Sequence, residues 1–204
     1  MPDVGAGRFG WWWGPSALRL SEHFRPALRA HFGRLSAADL YLRFGHSQAE
    51  ILDAYVEGID FQKSMVLGVF DDDLELIGAA HLSQDQAGFE LGLSVLLHGR
   101  RKGVGAALLR RAMQQARLAK AGSIRVHCLS ENHDLMRLVR KVGARVVAHG
   151  SESDGTIALP PSAPLGGWVE MVEEQMAVAS FTAKAELLMA RRMIQQLSGA
   201  VGGQ

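Results

Sequence analysis

Cysteine is nearly missing from this chain of 204 residues; the single one is Cys128. A lone cysteine excludes an intrachain disulfide and suits a reducing compartment, so a cytoplasmic location is expected. An excess of one charge sign is missing too, because 22 Lys and Arg face 21 Asp and Glu. No overall field therefore recommends nucleic acid or membrane as a partner, and neither is expected. No apolar run is long enough to span a bilayer, no basic-then-apolar leader marks secretion, and no internal repeat is present. The eight histidines contain no H-E-x-x-H or paired-ligand spacing. Asp71, Asp72 and Asp73 are consecutive, so their side chains diverge, and no EF-hand pattern follows them; no metal is expected. Two familiar phosphate loops are also absent. There is no G-x-x-x-x-G-K-[ST], and the third glycine position of a G-x-G-x-x-G holds Leu108.

What is present is concentrated between Gly88 and Ala121. Phe89, Leu91, Leu93 and Val95 alternate with Glu90, Gly92 and Ser94, the period of a strand. A basic turn with glycines follows, from His98 to Gly105. After it Val104, Leu108 and Ala112 recur at helical spacing. A strand thus feeds a glycine loop that opens a helix, and the first turn of a helix carries unpaired N–H groups and the positive end of its dipole. Gly103 and Gly105 present no Cβ to an approaching phosphate, while Arg100, Arg101 and Lys102 add positive charge. The stretch reads as an anion site.

Elsewhere the chain, with hydrophobic residues at 48%, suits one domain with an appendage. Met1 to Gly14 is glycine-rich and ends on Trp11, Trp12 and Trp13, either a lead-in whose tryptophans dock on a folded surface or an aromatic binding patch. Ala17 to Leu20 reads as a strand, and Glu22 to Phe32 as a helix capped by Ser21. Ser36 with Asp39 is a capping-box variant ahead of a helix bearing Leu40, Leu42 and Phe44. A short helix is expected over Ser47 to Gly58. Strands are expected over Ser64 to Phe70 and Leu74 to Ser83, with Asp71 to Asp73 as the turn between them and Gln84 to Gly88 as the next turn. Ser123 to Ser130 is a buried strand carrying Cys128. Asn132 to Val142 is a helix with Leu135, Leu138, Val139 and Val142 on one face, stopped by Gly143. Arg145 to His149 and Thr156 to Leu159 read as a hairpin around Ser151 to Gly155. Prolines 160, 161 and 164 close the domain. Trp168 to Leu197 forms one long helix, roughly 45 Å at ~1.5 Å per residue. Val169, Val172, Met176, Ala179, Ala183, Leu187, Ala190, Ile194 and Leu197 make a 3-4 seam along it. That seam needs a surface, either the chain's own domain or a second subunit; a homodimer is expected.

The hexapeptide Arg100 to Gly105, R-x-x-G-x-G, resembles the acyl-CoA pyrophosphate loop of the GCN5-related N-acetyltransferases. The stretch L-S-x-x-D-x-Y-x-R-F from Leu35 is similar to bacterial members of the protein-lysine-modifying type. The resemblance covers about residues 17–160, leaving residues 1–16 as a lead and 161–204 as a linker plus helix. It implies an α/β fold with a mixed sheet that splays at the acyl-CoA site. It places the backbone of Val95, Leu96 and Leu97 beside the pantetheine arm, the N–H groups of Arg101 to Ala106 (with Lys102, Gly103, Val104 and Gly105 between) on the pyrophosphate, and Asn132 near the mouth of the wedge. Acetyl-CoA is the implied cosubstrate and a primary amine the implied acceptor. An amine with a pKa near ~10.4 is less than about 0.1% neutral at pH 7, so a base is needed. Glu90 is the candidate, on the small polar face it shares with Gly92 and Ser94; a solvent-facing strand glutamate is the competing reading. Many family members carry a tyrosine seven residues after the asparagine to protonate the departing thiolate. Here that position is Val139, which leaves Ser130 and His133 as weak substitutes. Cys128 reads as core and not as an acyl carrier.

The function implied is N-acetyl transfer to a protein lysine or a small amine. A non-catalytic acyl-CoA-binding scaffold is the alternative that Val139 and the long terminal helix would suit. Polyamine or antibiotic acetylation is a third reading, needing an acidic acceptor pocket for which Glu22, Asp39, Glu57 and Asp60 are available.

Overall fold

The computed structural model describes residues 14–85, 88–161 and 166–201; Trp11 to Trp13 lie outside them. Strands β1 (Leu18–Leu20), β2 (Met65–Phe70), β3 (Leu76–Asp85), β4 (Gly88–Val95), β5 (Ser123–Leu129), β6 (Arg145–His149) and β7 (Glu152–Ala158) form one sheet. Its order is β1-β2-β3-β4-β5-β7-β6. Neighbours run antiparallel except β4 and β5, which are parallel. Helices α1 (Arg25–Gly33), α2 (Ala37–Phe44) and α3 (Ala49–Glu57) precede β2, α4 (Val104–Leu118) links β4 to β5, α5 (His133–Lys141) links β5 to β6, and α6 (Gly166–Val201) ends the chain. The expected mixed sheet flanked by helices is the observed architecture.

Two apolar layers sandwich the sheet. On one face Leu67, Leu82, Leu91 and Ile124 meet Leu108 and Ala112 of α4 and Val139 of α5. On the other, Leu20, Val66, Leu76 and Ala79 meet Leu28, Phe32, Leu40 and Val56 of the first three helices. Alternation in the strands sends successive residues to opposite layers, which is why both faces of a chain rich in short apolar runs are covered.

Local signals explain most element ends. Ser36 caps α2 by accepting from the Asp39 N–H at 3.1 Å, and Gly45 closes the helix in the left-handed region at φ 75°. Three expectations shift. The helix expected from Glu22 starts as a 3₁₀ turn over Glu22–Phe24, Ser21 makes no side-chain cap, and α1 proper begins at Arg25 beside Pro26, where a missing N–H does no harm. Leu74, at φ 60°, belongs to the turn and not to β3. The last hairpin turns at Gly150, φ 64°, and Glu152–Ala158 is strand throughout. Its polar appearance hides a period of two, with Ser153, Gly155 and Ile157 buried; Gly155 is where Val139 packs from α5.

Helix α6 docks on its own domain, but not by the seam the spacing marks. The docked face carries Glu170, Ala177, Phe181 and Lys184. Ala177 is buried, and Phe181 sits edge-on to Phe24 and Phe70 with centroids 5.6 and 4.8 Å apart. Lys184 donates to the Phe70 carbonyl at 2.8 Å. Arg111 of α4, only 3% exposed, meets Glu170 at 2.8 Å, Glu173 at 3.4 Å, and Glu174. The seam from Val169 to Ile194 faces solvent.

Arg111→Met should leave three glutamates facing an apolar neighbour. Loss of one partner from a buried ion cluster, discounted because Glu173 and Glu174 are about a third exposed, should cost on the order of 2–3 kcal/mol. Urea unfolding of wild type and variant at pH 7 reads this directly.

Candidate active site

Strands β4 and β5 pair only through Phe89 with Ile124 and Glu90 with Arg125. Each then follows its antiparallel partner on the other side, β4 along β3 as far as Val95 with Gly78, and β5 along β7. Held apart in this way, the two strands open a cleft of about 750 Å³. Leu93, Ser94 and Val95 form one wall, the start of α4 and the α5 residues Leu135 and Leu138 another, and Leu35, Asp39, Leu42 and Arg43 around α2 cover it.

The start of α4 has the features expected of an anion site. Its N-cap is Gly103 at φ 83°, which has no side chain to cap the helix, and Arg101 is also left-handed at φ 61°. Alternation of this kind turns successive N–H groups inward. Gly103, Val104, Gly105 and Ala106 line the cleft at the positive end of a 15-residue helix. Gly105 also eases packing: a Cβ there would stand 3.3 Å from Leu138 Cδ2, so a larger residue would push the Leu138 side chain of α5 aside by a few tenths of an ångström. These features fit a pyrophosphate, with Arg101 on the loop and Arg137 and Lys141 on the α5 wall.

Several expected residues sit differently. Arg100 lines the cleft but is already engaged: its Nη2 is 2.5 Å from Asp39 Oδ1 and its Nε donates to the Val95 carbonyl at 3.1 Å. Burial alone would push the Asp39 carboxyl up, but hydrogen bonds from Arg100 and Ser36 outweigh it and hold the group below the usual range. Lys102 points off the cleft into a smaller hollow of about 220 Å³ near Lys184. Leu96 is buried and spends its N–H on Ile77 O at 2.9 Å, and Leu97 is 78% exposed in a 3₁₀ turn over Leu97–Gly99. Of that trio, Val95 lines the cleft.

Asn132 is the N-cap of α5. Its Oδ1 accepts from the Leu135 N–H at 3.2 Å and its Nδ2 reaches the Leu42 carbonyl at 3.5 Å, so it ties α5 to α2 across the cleft mouth. Val139 is fully buried. Ser130 lies outside the cleft lining, with its hydroxyl on Gly150 O at 3.2 Å and Ser153 Oγ at 2.9 Å; His133 lines the cleft. Cys128 is buried in β5, and burial pushes its thiol up to about 11, the wrong direction for a nucleophile.

Glu90 is half-buried at the apex where the strands part, and among the described residues no side chain forms a hydrogen bond or ion pair with it. On the same face, Gly92 stands opposite His81 of β3 and Ser94 opposite Ala79. The Arg43 guanidinium occupies the space a Gly92 Cβ would take. It lies 4.6 Å from the Phe44 ring centroid and donates to Tyr55 Oη at 3.3 Å. Tyr55 Oη is 2.7 Å from His81 Nδ1, and His31 bridges Leu76 O and Ser94 Oγ at 2.7 and 2.8 Å. Sequence reasoning missed these four side chains. His31 follows Leu28 by three on a buried helix face, a faint signal, but the register of β3 on β4 that gathers the group has none.

The acidic residues available for an acceptor pocket do not assemble. Glu22 and Glu57 pair with Arg25 and Arg29, Asp60 accepts from the Gln62 and Lys63 N–H groups, and Asp39 holds Arg100. Asp71 groups with Glu75 and His98, ligand atoms within 4.8 Å of one another. Asp71 Oδ1 already accepts from two backbone N–H groups, and Glu75 pairs with Arg34. Among the described residues no helix is long and apolar enough to cross a membrane.

Residues 29–144, more than half of the chain, match the acetyltransferase (GNAT) family. The fold is similar to the GNAT domain of PAT from S. lividans, with TM-score 0.61 and 16% identity over 70% of this chain and 89% of that one. It is similar to YncA from Salmonella typhimurium, solved with its cofactor acetyl-CoA, with TM-score 0.57 and 17% identity over 74% and 96%. Ribosomal-protein-alanine N-acetyltransferase from Brucella melitensis gives TM-score 0.54 and 17% identity over 69% and 96%.

Burial lowers His31 to about 4, against a partial lift from its bond to Leu76, and burial with the nearby Arg43 charge lowers His81 to about 4. Both rings are neutral in the fold but take protons near 6.5 when unfolded, so their contribution is complete above about pH 6.5 and is lost as pH falls toward 4. Urea midpoints should drop over that window, by up to about 1.4 kcal/mol per pH unit for each ring, and His31→Gln should flatten the slope.

Proposed function

The chain belongs to the acetyltransferase (GNAT) family, whose members use acetyl-CoA, and from that premise we propose that it moves the acetyl group to a primary amine by direct attack, with Glu90 as base. One observation carries this reading. The β4–β5 pairing ends at the half-buried carboxylate of Glu90, three residues before the cleft wall begins at Leu93, and the cleft's far wall is an uncapped helix start.

The uncapped N–H groups of α4, with Arg101, Arg137 and Lys141, hold the pyrophosphate end of acetyl-CoA. Val95 lies along its arm and Asn132 at the cleft mouth. Glu90 takes the proton of the ammonium through water, raising the neutral fraction from below about 0.1%. A backbone N–H at Val95 receives the charge on the thioester oxygen as the amine attacks. No side chain is assigned to the departing thiol. A thiol with a pKa near ~8.5 leaves as thiolate and takes its proton from water, which is compatible with Val139 lying in the core. Around Glu90 the rim carries His127, Glu152 and Asp154, with His127 raised chiefly by its bond to Asp154 and further by Glu152 and Glu90. This acidic rim suits a cationic acceptor such as a protein lysine or a polyamine. A reducing cytoplasm suits the unpaired Cys128.

The chain pairs with a second copy of itself through α6. The solvent-facing seam of α6 complements itself when two helices run antiparallel about Ala183. Ala179 then faces Leu187 and Met176 faces Ala190, small against large, while Val172 faces Ile194.

A thiol-release assay over lysine peptides and polyamines tests the transfer. Glu90→Gln should lower kcat by about 10² or more while the acetyl-CoA Kd measured by calorimetry stays within about twofold; unchanged turnover would reject the base, and acetyl-CoA binding without thiol release for any amine would favour a scaffold. In sedimentation equilibrium the wild type should be dimeric and Ala183→Glu monomeric, with little change in thermal melting.

A further inference from the structure

The polar face beyond Glu90 ends on a pair that the mechanism above does not use. His31 is 1% exposed, and each ring nitrogen has one partner, the Leu76 carbonyl at 2.7 Å for Nδ1 and the Ser94 hydroxyl at 2.8 Å for Nε2. A carbonyl only accepts, so Nδ1 must carry the hydrogen. The neutral ring then has no hydrogen on Nε2, and the Ser94 O–H must donate to it. That leaves Ser94 Oγ with its lone pairs uncommitted and its donor spent. Ser94 lines the acyl-CoA cleft, between Leu93 and Val95 and next to the Arg43 guanidinium over Gly92.

A serine donating to a histidine is also how a nucleophile and its base are arranged, and the surroundings decide between the roles. A nucleophile's histidine is oriented by a carboxylate that steadies the imidazolium as it forms. His31 has a neutral carbonyl in that place, and burial holds it uncharged to about 4. It cannot store the serine proton, so acyl transfer to Ser94 is disfavoured and the pair acts by fixing where the hydroxyl points.

We propose that Ser94 Oγ is the acceptor for an N–H of the incoming amine, aiming the nitrogen lone pair at the thioester, and that His31 is a positioning residue that fixes the hydroxyl for this task. The inference rests on the acetyl-transfer reading above. A primary amine keeps two N–H bonds after Glu90 has taken its proton. One hydrogen bond to Ser94 uses one of them and leaves the lone pair free to attack, a constraint that a hydroxyl free to rotate and donate would not impose, since it could bind the lone pair itself.

The test uses Nα-acetyl-lysine amide and spermidine as acceptors with the full-length protein, following the faster of the two. Ser94→Ala should lower the amine kcat/KM about tenfold, leave the acetyl-CoA Kd within about twofold, and yield no change in the pH profile. Ser94→Thr, which keeps the hydroxyl, should restore most of the rate. His31→Leu should raise the amine KM, and His31→Gln, which again offers Ser94 an acceptor, should recover it; thermal melts of each variant separate this from unfolding. A folded, active Ser94→Ala with unchanged amine kcat/KM would overturn the proposal, as would an equal loss of acetyl-CoA affinity or an acetylated Ser94 caught by mass spectrometry. A wild type that binds acetyl-CoA and acetylates neither probe would instead overturn the transfer reading, and this inference with it.

Discussion

Two residue pairs, Phe89 with Ile124 and Glu90 with Arg125, hold β4 to β5, and the rest of the site depends on the pairing stopping there. Each strand has a better partner on its outer side, eight register pairs for β4 with β3 and seven for β5 with β7. The inner edges are thus left with backbone groups that no strand satisfies. Such groups are costly when buried and dry, and an extended ligand arm with its own amides can meet them. The parting also sets where the candidate groups stand: Glu90 where the pairing ends, Val95 along the cleft wall, and the start of α4 on the opposite wall.

Electrostatics in the cleft are partly pre-arranged. Arg100 is held by Asp39 and by the Val95 carbonyl, so the first cation of the loop braces α2 against the loop that precedes α4. Asn132 reaches α2 from the opposite wall. The helix carrying the L-S-x-x-D-x-Y-x-R-F stretch is therefore tied to both sides of the cleft, and the residue types in that stretch follow from it: Ser36 caps, Asp39 takes Arg100, and Arg43 fills the hollow over Gly92. Net charge close to zero conceals this, because the cleft gathers cations on α4 and α5 while the sheet face keeps its carboxylates near Glu90.

The terminal helix illustrates two kinds of surface on one rod. Its docked face is poorer in apolar spacing than the opposite one, yet it binds through a buried arginine among three glutamates and one aromatic cluster. A seam with cleaner 3-4 spacing is left outward. Periodicity measures how well a stripe could be buried, not by what, and a specific ionic anchor on α4 chose the other face.

From sequence by itself came the order of strands and helices, the loop with Gly103 that opens α4, the Ser36 cap, and the shared face of Glu90, Gly92 and Ser94. All of these rest on local rules: period, capping, and the freedom of glycine at positive φ. The tertiary structure alone decided that Lys102 and Leu97 turn away from the cleft, that Arg100 is neutralised by Asp39, that Val139 is core, and that His31, Arg43, Tyr55 and His81 gather over β4. Those outcomes depend on strand register and on contacts between residues tens of positions apart, and a one-residue change of register would send every such side chain to the opposite face.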